Sequence, residues 1–223
     1  MLLQIPGILK PDELASLRAM LAGAAFEDGG ATAGFAAREV KRNLQVPQNS
    51  DLGRKCAPLV VEALKRNAVF FSAALPHRIH GPIFNRYDVG MTYGEHVDNA
   101  LMGSPATVRS DVAATLFLTA PEDYDGGELT VHDSYGAHRI KLAAGNMIVY
   151  PATSRHRVEP ITRGSRVSAV MWIQSLVRSE MHRRMLFEMD VAIGSLRKQA
   201  GTEKEVATLT SVYHNLIRTW SET

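Results

Sequence analysis

The sequence contains a single cysteine, Cys56, among its 223 residues. One cysteine cannot form an internal disulfide, which excludes a disulfide-stabilised scaffold and favours the reducing cytoplasm as the compartment. No apolar run reaches the roughly 18 residues that a membrane-spanning helix requires. Residues 1–6 lack the basic region and the long apolar core of a secretion signal. We therefore expect a cytoplasmic protein that does not enter a membrane.

An excess of charge of either sign is also missing. The chain carries 25 basic and 23 acidic residues, a net charge of +2. This balance predicts neither nucleic acid nor a membrane surface as the main partner. Internal repeats and low-complexity tracts are absent from the sequence, and a hydrophobic fraction of 45% is ordinary for a globular protein.

The pattern of apolar residues divides the chain into three segments. Residues 1–76 form a predicted N-terminal helical segment that packs on the core. Its first helix follows Pro11, and its second runs from about residue 51 to residue 75. Residues 77–177 form the core, and residues 178–223 form a C-terminal helical extension. The predicted core positions of the helical segments are Leu14, Leu17, Leu21, Leu59, Val60, Leu64, Phe71, Met185, Leu186, Met189 and Ile193.

The last predicted helix carries a broad apolar face. Ser179 is the predicted cap of the helix before it, and Thr202 with Glu205 resembles a capping box that opens the last one. Such a face must be covered by the core or by a second copy of the chain. We expect it to cover the core and, in addition, to form a homodimer contact. The face consists of Val206, Leu209, Tyr213, Leu216, Ile217 and Trp220.

The middle segment changes to short β-type runs that are separated by turn residues. Strands at this spacing are typical of a sandwich or a jelly-roll barrel. Helices, then a β core, then helices predict an α+β fold. The predicted strands are Ile79–Tyr87, Val112–Thr119, Glu128–His132, Arg139–Leu142, Asn146–Tyr150, Arg155–Pro160 and Val167–Ser175.

Three residues of this segment suggest a metal site. If the chain around His96 and Asp98 is extended, the two side chains project to one face, because they are two residues apart. His156, on a later predicted strand, can complete the set. Two histidines and one carboxylate are the ligands of non-haem Fe(II) oxygenases. The other histidines are interpreted as surface or structural residues: His77, His80, His132, His138, His182 and His214.

Arg166 follows His156 by ten residues. If the strands Arg155–Pro160 and Val167–Ser175 are antiparallel neighbours, Arg166 can point into the barrel near the metal. A buried guanidinium is costly unless it meets an anion, and its planar fork suits a carboxylate. A protein carboxylate is one candidate for that anion. We favour the carboxylate of a ligand.

Three motifs of the core resemble a known family. They are Tyr87-x-x-Gly-x-x-Tyr93-x-x-His96-x-Asp98, Gly126-Gly127-Glu-Leu, and a closing motif from Tyr150-Pro through His156 to Gly-x-Arg166. Together they resemble the prolyl-4-hydroxylase-like dioxygenases that depend on Fe(II) and 2-oxoglutarate. Among these, the chain is most similar to the bacterial PKHD-type hydroxylases, which also have an N-terminal helical segment and a helical tail.

The resemblance implies a double-stranded β-helix, or jelly-roll, core and a role for each motif residue. His96, Asp98 and His156 would bind Fe(2+). Arg166 would bind the distal carboxylate of 2-oxoglutarate, and Tyr87 would hydrogen-bond the same co-substrate. Tyr93 would pack at the barrel mouth. The implied reaction is hydroxylation of an unidentified substrate with decarboxylation of 2-oxoglutarate to succinate and CO₂, supported by L-ascorbate as reductant.

Two alternatives to an enzyme remain at this stage. One is a cupin-like sensor of a metal or a small acid on the same barrel, which would bind without turnover. The other is a structural interaction module, which leaves the spacing of the four site residues unexplained. Two segments are candidates for substrate selection: the loop 99–110, and the Gly/Ala-rich stretch 23–38 with residues 41–45 after it. The second is either a lid on the site or a solvent-exposed loop.

Overall fold

The computed structural model of this chain describes residues 1–32, 38–103 and 107–222. It contains a larger and a smaller antiparallel sheet, and residues of both sheets form one hydrophobic cluster. The major sheet has seven strands, in the order β1 (Leu3–Ile5), β13 (Met147–Pro151), β9 (Val112–Phe117), β16 (Arg166–Ser175), β5 (Pro76–Tyr87), β4 (Leu44–Gln45) and β2 (Glu27–Asp28). The minor sheet has five strands, in the order β12 (Gly136–Ile140), β11 (Leu129–Asp133), β14 (His156–Val158), β6 (Thr92–His96) and β3 (Lys41–Arg42).

Two further strand pairs connect the sheets. β10 (Tyr124–Gly126) pairs with β15 (Ile161–Gly164), and β7 (Leu101–Met102) pairs with β8 (Val108–Arg109). The helices are α1 (Pro11–Ala22), α2 (Asp51–Lys65), α3 (Ala68–Ala74), α4 (Glu180–Leu196) and α5 (Glu203–Trp220). Within the described ranges, no helix is both long enough and apolar enough to cross a membrane. The predicted α+β jelly-roll class is confirmed.

The residues of β16 alternate between two environments. Ala169, Met171 and Ile173 belong to the larger hydrophobic cluster, which also contains residues of α1, α2 and α3. Arg166 and Trp172 line a cavity on the opposite face of the strand. This period of two follows from the pleat of a strand, so the N-terminal helices cover one face of the major sheet and the other face is left to the cavity.

The pairing proposed for Arg166 is wrong. β14 and β16 are not neighbours: β14 pairs with β11 and β6 in the minor sheet, whereas β16 pairs with β5 and β9 in the major sheet. Strand order depends on contacts between distant parts of the chain, and the short separation along the sequence suggested a hairpin that does not form. Arg166 nevertheless lines the same cavity as His156, because the two strands belong to facing sheets.

The N-terminal segment differs from the prediction in two ways. It contributes the short strands β1 to β4 to the two sheets, in addition to its helices. The predicted helix 51–75 is two helices, because Asn67 caps α3 by accepting a hydrogen bond from the Phe70 N–H at 2.9 Å. Leu59 and Phe71, predicted as core residues, are 44% and 50% exposed.

The C-terminal helices cover a small hydrophobic cluster of Leu75, Val177 and Leu186. Ser179 caps α4 as predicted, by accepting a hydrogen bond from the His182 N–H. The capping box at Thr202 is wrong: its hydroxyl donates to the carbonyls of the preceding turn instead. No residue of α5 is fully buried, so the apolar face of this helix is only partly covered. Four residues of the face pack on the cluster: Tyr213, Leu216, Ile217 and Trp220.

A pair of adjacent residues tests the contribution of α4 to stability. Leu186 is 0% exposed, whereas Met185, predicted to be buried, is 46% exposed. Leu186→Ala should lower the free energy of unfolding by about 2–5 kcal/mol through the lost apolar contacts and the cavity. Met185→Ala should change it by less than about 0.5 kcal/mol. Urea denaturation of the two variants measures this difference, and equal losses would contradict an integral role for α4.

Candidate metal and co-substrate site

The two predicted metal-binding histidines lie directly opposite each other on neighbouring strands. His96 of β6 is the register partner of His156 of β14, and their ring centroids are 4.2 Å apart. Asp98 follows two residues after His96, and its Oδ1 lies 3.8 Å from the His156 Nε2. One potential ligand atom from each of the three residues lies within 4.8 Å of the other two. The structure therefore brings the predicted triad together.

An irregularity in this strand pair brings Tyr93 into the cavity. His156 pairs with His96 and Val158 pairs with Tyr93, so two steps along β14 correspond to three along β6. The extra residue is a β-bulge, which changes the face to which later side chains point. Tyr93 and His96 consequently stack, with ring centroids 3.6 Å apart. Tyr93 lines the cavity, in agreement with its implied place at the barrel mouth.

Backbone carbonyls fix the tautomers of both histidines. The Nδ1 of His96 lies 2.8 Å from the Gly94 carbonyl oxygen, and that of His156 lies 3.1 Å from the Ser154 carbonyl oxygen. A carbonyl only accepts hydrogen bonds, so each Nδ1 carries the proton. In the neutral form of each ring, Nε2 then carries the lone pair through which imidazole binds a metal.

The electrostatics of the triad suit a cation. Burial, with smaller effects of His156 and Lys41, lowers the pKa of His96 to about 3, so this imidazole is neutral at pH 7. Burial also raises the pKa of the Asp98 carboxyl above its usual value, although His156, Trp172 and Lys41 oppose that effect. Two imidazole nitrogens and one buried carboxylate form a donor set that fits Fe(II).

Arg166 is deeply buried on the opposite sheet. It is 1% exposed, its Nη1 donates to Ser168 Oγ at 2.9 Å, and its Cζ lies 5.4 and 5.2 Å from the ring centroids of Tyr87 and Phe117. In the part of the chain that the structure describes, Arg166 forms no ion pair, and its Nε has no hydrogen-bond partner. Among the described residues, no protein carboxylate therefore forms a salt bridge with Arg166. The guanidinium remains available to the anion of a ligand.

One cavity joins the triad to Arg166 and Tyr87. Tyr87 of β5 is the register partner of Arg166. Burial, which outweighs the opposing effects of Arg166 and Asn43, raises the pKa of Tyr87 to about 12. Its hydroxyl is therefore protonated at neutral pH and can donate a hydrogen bond to an anion beside Arg166.

The turn Gly126-Gly127 has a steric cause that the sequence motif does not reveal. Both glycines have positive φ, +71° and +67°. A Cβ on Gly126 would lie 2.0 Å from the Pro160 carbonyl oxygen, and one on Gly127 would lie 3.2 Å from the Arg166 Cδ. Only glycine lets the turn approach the closing motif and the arginine this closely.

The rest of the cavity wall contains residues that the motifs did not identify. Lys41 and Gln45 line it, as the interpretation of residues 41–45 suggested, and so do Asn99 and Met102 of the loop 99–110. Residues 33–37 of the predicted lid and residues 104–106 of that loop lie outside the described ranges. Apart from Arg166 and Tyr87, the contributors from the major sheet were not predicted; alternation along β5 and β16 is the signal that could have found those on these two strands. They include Asn85, Thr115 and Trp172.

Two family models match the chain. Residues 82–174 match the 2OG-Fe(II) oxygenase superfamily, and residues 181–222 match the PKHD-type hydroxylase C-terminal domain. The first range contains the triad, Arg166 and Tyr87. The second coincides closely with α4 and α5, so the helices outside the barrel have a family assignment of their own.

Full-length relatives and solved structures agree with these models. PKHD-type hydroxylases from Hyphomonas neptunium and Paracoccus denitrificans are 52% and 50% identical to the chain, and each alignment covers 100% of both proteins. A Pseudomonas putida prolyl-4-hydroxylase shares the fold with a TM-score of 0.53 and 19% identity, over 78% of this chain and 92% of that one. The α-ketoglutarate-dependent carbocyclase SnoK gives a TM-score of 0.57 and 16% identity, over 79% and 80%.

The lowered pKa of His96 predicts how the metal-free protein responds to acid. The folded state keeps His96 neutral down to about pH 3, whereas the unfolded state binds a proton near the ordinary value of 6.5. Stability from this group is therefore complete above pH 6.5 and is lost as the pH falls below it. Between pH 6.5 and 4.5 the loss should be roughly 2 kcal/mol.

Urea denaturation in the presence of a chelator measures this effect. His96→Gln should lose less stability than the wild type between these pH values, because glutamine does not titrate. The exposed His214 provides the matched control, and His214→Gln should follow the wild type. Parallel curves for all three proteins would show that His96 is not held neutral by the fold.

Proposed function

Because the chain belongs to the PKHD-type hydroxylases, we propose that His96, Asp98 and His156 bind its Fe(II) and that Arg166 and Tyr87 bind its 2-oxoglutarate. The protein is an Fe(II)- and 2-oxoglutarate-dependent hydroxylase, so the sensor and the interaction module considered from the sequence are not needed. The observation that supports these residue roles is the shared cavity. It contains a three-ligand cluster on one sheet and an arginine without a described carboxylate partner on the other.

Each residue has a separate task in this proposal. Fe(II) with 2-oxoglutarate supplies the activation of O₂ for the oxidation of a substrate C–H bond, coupled to the formation of succinate and CO₂. The triad holds the cation through two Nε2 atoms and the Asp98 carboxylate. Arg166 neutralises the distal carboxylate of the co-substrate, and the protonated Tyr87 hydroxyl donates a hydrogen bond to it. The buried walls exclude water from the reacting atoms.

The primary substrate is a small molecule or a peptide. Lys41, Gln45, Asn99 and Met102 are the side chains of β3, β4 and the loop 99–110 that line the cavity, and we propose that they select it. This wall combines a cation, amides and an apolar side chain. The substrate itself is unidentified.

Three further expectations belong to the same proposal. L-ascorbate would keep the iron reduced, as the resemblance to the family implies. A cytoplasmic location agrees with the buried free thiol of Cys56. A homodimer contact would cover the exposed apolar side chains of α4 and α5, and light scattering of the purified protein measures that state. These side chains include Met181, Met185, Val191 and Val212.

Replacement of the carboxylate ligand tests the metal site. Asp98→Ala should fold but should reduce iron-dependent succinate production to below about 1% of the wild type, because a second-sphere change alone costs 10–100-fold and a ligand matters more. The control is Asp133→Ala, since Asp133 pairs with the surface His138 and should not affect turnover. Near-normal succinate production by Asp98→Ala would contradict the triad.

The co-substrate anchor is tested by a pair of arginines. Arg166→Ala should raise the concentration of 2-oxoglutarate required for half-maximal turnover by roughly tens to thousands of fold while metal binding persists. Arg166→Lys should have a smaller effect, since it keeps the charge but loses the planar fork. The exposed Arg163 pairs with Asp125, and Arg163→Ala should match the wild type. An unchanged requirement in Arg166→Ala would assign the anchor to another cation.

A further inference from the structure

Besides the Nε of Arg166, two buried polar atoms of cavity-lining residues lack a partner at hydrogen-bond distance and angle within the described residues. They are the Oδ2 of Asp98 and the indole Nε1 of Trp172. Buried polar groups are normally hydrogen-bonded. An ionised carboxylate oxygen only accepts hydrogen bonds and an indole N–H only donates them. The two atoms are therefore complementary.

The arrangement of the cavity brings these residues to each other. Asp98 Oδ1 is the oxygen that lies 3.8 Å from the His156 Nε2. Oδ2 is therefore the oxygen that is not needed as a metal ligand. Trp172 lies on the cavity face of β16, where its ring packs on His80 at 5.9 Å between centroids. The Trp172 indole is also close enough to the Asp98 carboxyl to be among the groups that lower its pKa against the larger effect of burial.

We propose that Trp172 is a positioning residue for the metal ligand Asp98: its indole N–H donates to Oδ2 and thereby keeps Oδ1 directed toward the two histidines. This inference rests on the proposed function of the triad. Partners that orient a ligating carboxylate contribute strongly to metal affinity. The major sheet would thus supply both the co-substrate anchor and the group that orients the carboxylate on the opposite side of the cavity.

Removal of the N–H without loss of the aromatic ring tests this role. Trp172→Phe keeps a ring against His80 and removes the donor, so Ni(II) affinity should fall by about 10–100-fold, as measured by isothermal titration calorimetry without co-substrate. The chain has two tryptophans. Trp220, which stacks on His182 outside the cavity, is the matched control, and Trp220→Phe should bind Ni(II) like the wild type.

A second measurement does not depend on the folding of Trp172→Phe. In ¹⁵N-labelled protein the two indole N–H signals are assigned with Trp220→Phe. In Asp98→Ala the indole proton of Trp172 should move upfield, because its acceptor is gone, and the Trp220 signal should stay in place. A Trp172 signal that is unchanged in Asp98→Ala would overturn the proposed hydrogen bond.

The outcomes separate this inference from the proposed function. If the wild type does not bind Ni(II) at the triad, the metal site is wrong and the role of Trp172 is wrong with it. If the wild type binds but a folded Trp172→Phe binds within twofold of it, the triad stands and the positioning role is overturned. Weaker binding by Trp172→Phe alone, together with the shifted indole signal, supports both.

Discussion

The pairing of β6 with β14 is the interaction on which the site depends. It places His96 directly opposite His156, so two histidines that are far apart along the chain become neighbours through a backbone ladder. A slip of one residue would turn either imidazole to the other face of the sheet. The bulge in β6 is equally important, because it directs both Tyr93 and His96 into the cavity although they are three residues apart. The carbonyls of Gly94 and Ser154 then fix the rotation of each ring.

The two sheets divide the chemistry between them. The minor sheet supplies the histidines, and the major sheet supplies Arg166, Tyr87 and Trp172. Sheets that pack face to face lie about 10 Å apart, a gap that a short dicarboxylate bound to a metal on one side can bridge to a guanidinium on the other. The buried charge of Arg166 is costly by itself, so the fold holds a cation in a place that only an anionic ligand makes favourable.

The helices support this arrangement from outside. α1, α2 and α3 cover the outer face of the major sheet, and α4 with α5 covers the cluster at Leu75 and Val177. In the described part of the chain, no residue after Trp172 lines the cavity. The C-terminal end nevertheless reaches the loop that follows Asp98, since Arg109 forms ion pairs with both Asp111 and Glu222. The extension therefore contacts this loop without entering the cavity.

The sequence by itself indicated the fold class, most strands and the residues that meet in the cavity: His96, Asp98, His156, Arg166 and Tyr87. This succeeded because period-two alternation and the spacing of His96, Asp98, His156 and Arg166 are local signals that a single chain displays. Strand order was not determined in this way: Arg166 and His156 were expected on adjacent strands and lie on facing sheets.

The register across β6 and β14, the complementary pair of Trp172 and Asp98, and the partial exposure of Leu59, Phe71 and Met185 were decided only by the tertiary structure. Each of them depends on which distant surfaces meet. Hydrophobicity indicates that a side chain prefers burial, but only the packed neighbours decide whether there is a surface to bury it against.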